Sequence, residues 1–205
     1  MQIAVDKNQL SGTHGKSNKK KHKQMEAMGI ELVPLPLPFG DYCLIDDSIK
    51  EIIDMRGNKI CKKDLIKHIN LSIDTKKSIE EIWGNVHGGK EHIRFRKELL
   101  KPLSENSKLV ILIEHGPDIQ CLEDVYFFYQ PEQVRYKWVT KKIGEKTIKY
   151  REAYMQQPIK GDALYRSLCT IRNRYNVQFE FCEKKNTGKE IVRILGGDIG
   201  DEGRN

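Results

Sequence analysis

The chain has 205 residues, with 36 Lys or Arg against 29 Asp or Glu and a formal net charge of +7. That length suits one well-cored domain, and no run approaches the roughly 18 consecutive apolar residues of a membrane span. The apolar start, MQIAVDKNQL, lacks a basic flank, a long apolar stretch and a small-residue cleavage site, so a cytoplasmic, non-secreted protein is expected.

In chain order, residues 2–5 (QIAV) read as a short strand ending on Asp6, followed by a polar loop and a basic segment, 19–28, expected to be helical. IELVPLPLPFGDYCLID alternates as an extended strand does, although its prolines restrict it to an edge or an irregular hairpin arm. Residues from about 46 to 68 are mixed and charged and read as an excursion from the core. The strand 69–75 leads into a helix from about Ser78, with Glu80 and Glu81 in its first turn. In the helix 91–104, Phe95, Leu99 and Leu103 form an apolar stripe beside a basic one of Lys90, Arg94, Lys97 and Lys101. KLVILIE is a continuous apolar strand of the kind covered on both faces. After a short helix in CLEDVYFF, residues from about 130 to 157 suggest a hairpin or flap around Gly144. A helix over 160–175, a strand in VQFEFCEK and a last helix ending at Gly196 or Gly197 complete the chain. Strands separated by helices predict a single α/β domain around one mixed sheet.

The five cysteines are scattered with no CxxC pair, which argues against a zinc ribbon or a disulfide framework. Charge is unevenly spread: residues 1–30 hold six lysines against Asp6 and Glu26, and residues 135–151 hold seven Lys or Arg against one Glu. A nucleic-acid partner fits this distribution. TGKE near residue 188 lacks the glycine spacing of a phosphate loop, so no nucleotide cofactor is expected.

Asp74 and Lys76 fall at i and i+2 of a strand end and so share a face. Two readings stand: a solvated salt bridge, or half of a metal-dependent phosphodiester-cleaving site, which needs converging carboxylates and a positive group near the attacked phosphate. Glu183 and Lys185 repeat the spacing at another strand end, so spacing alone does not choose. Asp6 after the first strand and Asp41 in FGDY are the further acids in a strand-end setting.

Taken together, GDYCL, SIDTKKSIEEIWGNV, HIRFRKEL, KLVILIEHG and the closing LCTIRNRYNVQFEFCEKKNTGKEIVRILGG resemble the nuclease domain of XPF-type structure-specific endonucleases, in the PD-(D/E)xK superfamily. The small stand-alone phage and bacterial versions are the nearer resemblance. It implies a restriction-endonuclease-like core, a central mixed β-sheet flanked by helices. It also implies a Mg²⁺- (or Mn²⁺-) dependent endonuclease acting on branched, flap, junction or duplex DNA in repair or recombination, with a homodimer as the expected assembly. By resemblance Asp41 and Asp74 bind the metal with Asp6, Lys76 activates or steadies the water, and Asp6 and Glu80 support the catalytic set.

The chain departs from the family pattern in three places. Asp6-Lys7-Asn8-Gln9 lacks the family's Arg and Glu, Asp74-Thr75-Lys76 lacks its middle arginine, and Glu80 stands where an aspartate is usual. The helix-hairpin-helix module of larger relatives is also missing, so DNA is expected to be held by this domain or a partner. Glu114, at the end of LVILIE, either reaches the same site or simply ends a strand. His92, Arg94 and Arg96 are expected phosphate contacts from the helix after the site. Lys137, Trp138, Lys141 and Lys142 either track a DNA backbone or belong to a flap whose aromatics face the core. The alternatives to an endonuclease are a non-catalytic DNA-binding pseudo-nuclease subunit and a basic nucleic-acid-binding protein without hydrolase activity.

Overall fold

The computed structural model describes residues 1–10, 12–144 and 146–196. β1 (Gln2–Asp6) leads into one helical turn, α1 (Lys7–Leu10), then α2 (Gly12–Ala27), β2 (Glu31–Leu35) and β3 (Tyr42–Leu44). α3 (Asp47–Arg56) and the short α4 (Lys62–Leu65) precede β4 (Leu71–Lys76), α5 (Ile79–His87), α6 (Gly89–Ser104) and β5 (Lys108–Glu114). The remainder is β6 (Tyr129–Gln130), β7 (Gln133–Ile143), β8 (Lys146–Gln156), β9 (Ile159–Lys160), α7 (Gly161–Tyr175), β10 (Val177–Cys182) and α8 (Thr187–Ile194). No helix among the described residues is long and apolar enough to cross a membrane.

Six strands form one mixed sheet in the order β10-β5-β4-β3-β1-β2. β10, β5 and β4 run parallel, β3 is antiparallel to both β4 and β1, and β2 is parallel to β1. Strand alternation gives the sheet two apolar faces. Leu109, Ile111 and Ile113 of β5 pack with Phe95 and Leu99 of α6 and with Leu164 and Leu168 of α7. Val110 and Leu112, one residue out of phase, join Ile73, Tyr42, Ile3 and Val5 under Met25 of α2 and Ile191 and Val192 of α8. Burying β5 on both sides is why its sequence is continuously apolar.

Two segments differ from expectation. The polar stretch after Asp6 is helical, because tertiary contacts override its glycines: Asn18 Nδ2 donates to the Gln9 carbonyl (3.2 Å) and Gln9 Oε1 (2.6 Å). Gly15 lies so close to the Leu10 carbonyl that a side chain there would collide with it. The charged 46–68 segment is not peripheral. Asp46 caps α3, and Ile49, Ile52 and Leu65 bury against Ala4, Leu37 and Cys43, closing the sheet over β1 and β3. The last turn among the described residues includes Gly196 in the left-handed region (φ 91°), whereas Gly197 lies outside the described residues. The β7–β8 hairpin pairs from Gln133↔Gln156 to Ile143↔Lys146, and most of its residues are exposed.

Candidate active site

The site forms where β1 and β4 end and β3 begins. Gly40 takes a left-handed conformation (φ 68°) and packs against Ser72, which turns the chain so that Asp41 enters the sheet between its neighbours. The Asp41 amide donates to the Ile73 carbonyl (2.6 Å), and the Asp41 carbonyl accepts from the Asp6 amide (2.9 Å). Asp41 Oδ2 accepts from the Thr75 amide (2.9 Å) and the Thr75 hydroxyl (2.6 Å), while Oδ1 accepts from Gln9 Nε2 (2.5 Å). Gly40→Ala should therefore cost about 1–3 kcal/mol, from positive φ and crowding, read by chemical denaturation.

Asp74 and Lys76 leave β4 on one face, with Lys76 Nζ 2.8 Å from Asp74 Oδ2 and 5.5 Å from the centre of the Phe95 ring. Asp6, Gln9, Asp41, Asp74, Lys76 and Glu81 line one open cleft of about 690 Å³, together with Lys62, Arg94, Glu98 and Lys101, Arg94 being paired with Glu91 (2.7 Å) and Glu98 (3.5 Å). Burial, then the neighbouring Asp74 charge, raises the Asp41 carboxyl from its ordinary 3.8 to about 6, against the pull of the Thr75 hydrogen bonds and Lys76. Burial alone would lower Lys76, but the Asp74 carboxylate and its hydrogen bond reverse this, and Lys76 is raised. Within the cleft, Asp41 and Asp74 thus repel each other, and Lys76 beside them is held in its charged form.

Several residues lie elsewhere. Asp6 lines the cleft, yet its Oδ1 accepts from the Asn8 amide (2.8 Å) at the start of α1. Glu80 lies outside the cleft lining, and its carboxylate meets Arg135 at 3.7 Å. Glu81, though exposed, lines the cleft instead: Ser78 Oγ accepts from the Glu81 amide, and Glu81 Oε2 accepts from the Lys77 amide (2.8 Å). Ser78 thus caps α5, and the Glu81 carboxylate folds back onto the amide of the residue before the cap. Glu114 shares the phase of Leu112 and Thr75, so it lies on the opposite sheet face from Asp74 and Lys76. There it pairs with Lys21 at 3.6 Å and accepts from Thr187 Oγ1 (3.1 Å).

Helical phase divides the α6 cations in the same way. Arg94 and Lys101 face the cleft, whereas His92 and Arg96, with Arg96 Nε donating to Tyr175 Oη (3.2 Å), line a groove against α7. On the hairpin, Trp138 and Lys142 share one face and Lys137 and Lys141 the other. Lys21 Nζ is 3.4 Å from Thr75 Oγ1, whose hydroxyl bonds Asp41, so a buried cation from α2 stands behind the acid through the sheet.

No protein-family model matches the chain, and no curated protein is significantly similar to it in sequence. Solved structures do match. XPF from Aeropyrum pernix superposes with a TM-score of 0.50 at 14% identity, covering 95% of this chain and 63% of that one. This chain has an XPF-like fold. XPF from Aeropyrum pernix in complex with DNA gives a TM-score of 0.51 at 13% identity, covering 95% of this chain and 62% of that one. The chain therefore spans less than two thirds of each XPF chain. The XPF-like sheet sets Asp41 and Asp74 on antiparallel neighbours, a juxtaposition that the 33-residue separation in sequence hides. Gln9, Thr75, Lys21 and Glu81 were not singled out beforehand. Only Glu81 has a local signal, Ser78 as the N-cap of α5, which places Glu81 in its first turn.

Proposed function

We propose that this protein is a metal-dependent DNA endonuclease, selective for branched, flap or junction DNA. The reading is carried by the meeting of Asp41, Asp74 and Lys76 at neighbouring strand ends in an open cleft also lined by Lys62, Arg94 and Lys101. The DNA complex of XPF, whose fold this chain resembles, supports DNA as the partner.

The donor set fits a hard divalent cation. Among the described residues no group of three His, Cys, Asp or Glu side chains is gathered as a ready metal cage. Mg²⁺ commonly takes one or two carboxylates and completes its shell with water and phosphate oxygens, and Asp41 and Asp74 supply that number. Asp6 would contribute from the cleft wall. Mg²⁺ or Mn²⁺, when bound, supplies an acidified water and neutralises charge on the scissile phosphate. Thr75 and Gln9 hold the Asp41 carboxylate in orientation. Asp74 holds the Lys76 ammonium at 2.8 Å, and because that ammonium is held charged it donates hydrogen bonds to a phosphate oxygen or a water and does not accept a proton. Arg94 and Lys101 in the cleft lining would position the backbone without reading bases. Glu80→Ala should leave cleavage within about twofold, because exposed ion pairs contribute little.

One contact favours a second reading, a non-catalytic DNA-binding subunit: Gln9 and Thr75 together satisfy both oxygens of Asp41 from within the protein. Labelled flap, fork, four-way and linear duplex DNA, incubated with Mg²⁺, Mn²⁺ or EDTA, separates the two. Metal-dependent products support the endonuclease and rank its substrates. Salt-sensitive binding with no products under either metal selects the second reading.

A further inference from the structure

The two faces of the β7–β8 hairpin differ in a way that neither its net charge nor its exposure discloses. Register pairs Tyr136 with Ala153, Trp138 with Arg151, Thr140 with Lys149 and Lys142 with Thr147, so these side chains share one face. That face carries Lys142, Lys149 and Arg151 and, among the described residues, no acid and no ion pair. On the other face Lys137 pairs with Glu152 at 3.0 Å, and Arg135 pairs with Glu80 of α5 at 3.7 Å. Charge on one face is partly answered within the protein, and on the other it is left for a polyanion.

The rings on the uncompensated face are also disposed for use. Tyr136 and Trp138 are 59% and 66% exposed, so they contribute almost nothing to a core. The Arg151 guanidinium lies 4.9 Å from the centre of the Tyr136 ring, a cation–π contact that holds both groups ready. A duplex hides its base faces and offers an approaching hairpin mainly phosphates, for which cations suffice. Rings at this exposure are free to stack on unpaired bases, and alternating rings and cations are how proteins bind single strands without reading sequence. The opposite face also carries exposed rings, Tyr150 and Tyr154, but there the cation over Tyr154, Lys137, is already answered by Glu152. Through Arg135 and Glu80 the hairpin is tied to α5, the helix that follows Lys76 and carries Glu81 into the cleft.

We propose that this face of the hairpin grips an unpaired DNA strand, with Tyr136 and Trp138 stacking on bases and Lys142, Lys149 and Arg151 contacting phosphates. The inference rests on the reading of the chain as a DNA-acting protein and gives that reading a substrate feature, an unpaired strand.

The test is binding of the full chain, in EDTA, to labelled oligothymidylate and to a linear duplex, by fluorescence anisotropy over a range of salt. Tyr136→Ala/Trp138→Ala should weaken single-strand binding about tenfold or more with the salt slope unchanged, and should alter duplex binding far less. Trp138→Phe, which keeps a ring, should retain most of the affinity, and Lys137→Ala/Lys141→Ala on the opposite face should lose little beyond its charge. Unchanged single-strand binding by the double ring variant overturns the grip, as does tighter binding of oligouridylate than oligothymidylate. Because EDTA separates binding from cutting, the two readings fail separately. Cleavage by a wild type whose ring variant binds normally removes the grip alone, whereas a wild type that grips single strands and never cuts removes the endonuclease alone.

Discussion

Asp74→Asn and Lys76→Met are each expected to reduce metal-dependent DNA cleavage by about 10²–10⁴-fold, while DNA binding in EDTA changes far less. The two losses have different origins. Asp74→Asn keeps the shape of the strand end and removes one of the two carboxylate charges an ion needs. Lys76→Met keeps the apolar stem against Phe95, where the ammonium now sits 5.5 Å from the ring, and removes the charge that answers Asp74. A further consequence distinguishes Lys76→Met. Lys76 is one of the groups that pulls the Asp41 carboxyl down against burial and the Asp74 charge. Without it Asp41 holds its proton to higher pH, so the residual cleavage of Lys76→Met should climb more steeply with pH than that of the wild type. Initial rates against pH in Mg²⁺, with fold checked by circular dichroism, measure both effects. Either variant cutting within tenfold of the wild type would reduce Asp74 and Lys76 to a structural pair.

Much of this arrangement is legible in the sequence because it depends on period. KLVILIE reads as a doubly covered strand, and the turn at Gly40-Asp41-Tyr42 exposes a carboxylate wherever the strand lies. What the sequence leaves hidden depends on phase between elements. Glu114 stands at a strand end like Asp74, yet it falls on the other face, and only the pairing of Asp74 with Ile111 and of Thr75 with Leu112 reveals this. Lys21 is one lysine in a run of three, and nothing in KKK marks the one that buries beside Thr75 and Glu114. The glycines before it argue for a loop, and packing of Asn18 on Gln9 makes a helix instead. By contrast, the split of Trp138 and Lys142 from Lys137 and Lys141 needs only the two-residue period of a strand.

Asp41→Asn should raise the stability of the metal-free protein near neutral pH and abolish its cleavage. The folded-state Asp41 carboxyl titrates at about 6, above its ordinary 3.8. Below 3.8 the group is protonated whether the chain is folded or not, and its burial costs little. Between 3.8 and about 6 the folded protein retains a proton that the unfolded chain has released, so this group's contribution to stability falls as pH rises, then stays low above 6. An asparagine side chain at this position does not ionise and escapes that loss. Asp41 opens onto the cleft and keeps partial solvent contact, so the full linkage value is reduced to on the order of 1–2 kcal/mol, or about 3–6 °C in Tm for a chain of this size.

His22, whose ring burial and the Lys21 charge lower to about 4, imposes an opposite pH trend over nearly the same range. The diagnostic quantity is therefore the variant-minus-wild-type difference in Tm, which cancels His22. It should be near zero or negative at pH 4, where the substituted amide only disturbs the hydrogen bonds from Gln9 and Thr75, and positive from pH 6 upward. Adding Mg²⁺ or Mn²⁺ should close the gap by stabilising the wild type alone, since a cation beside Asp41 would offset both the burial and the Asp74 charge that raise its carboxyl. A difference that does not change with pH would mean that Asp41 is ionised without strain, and the case for a cation at that carboxylate would fall with it.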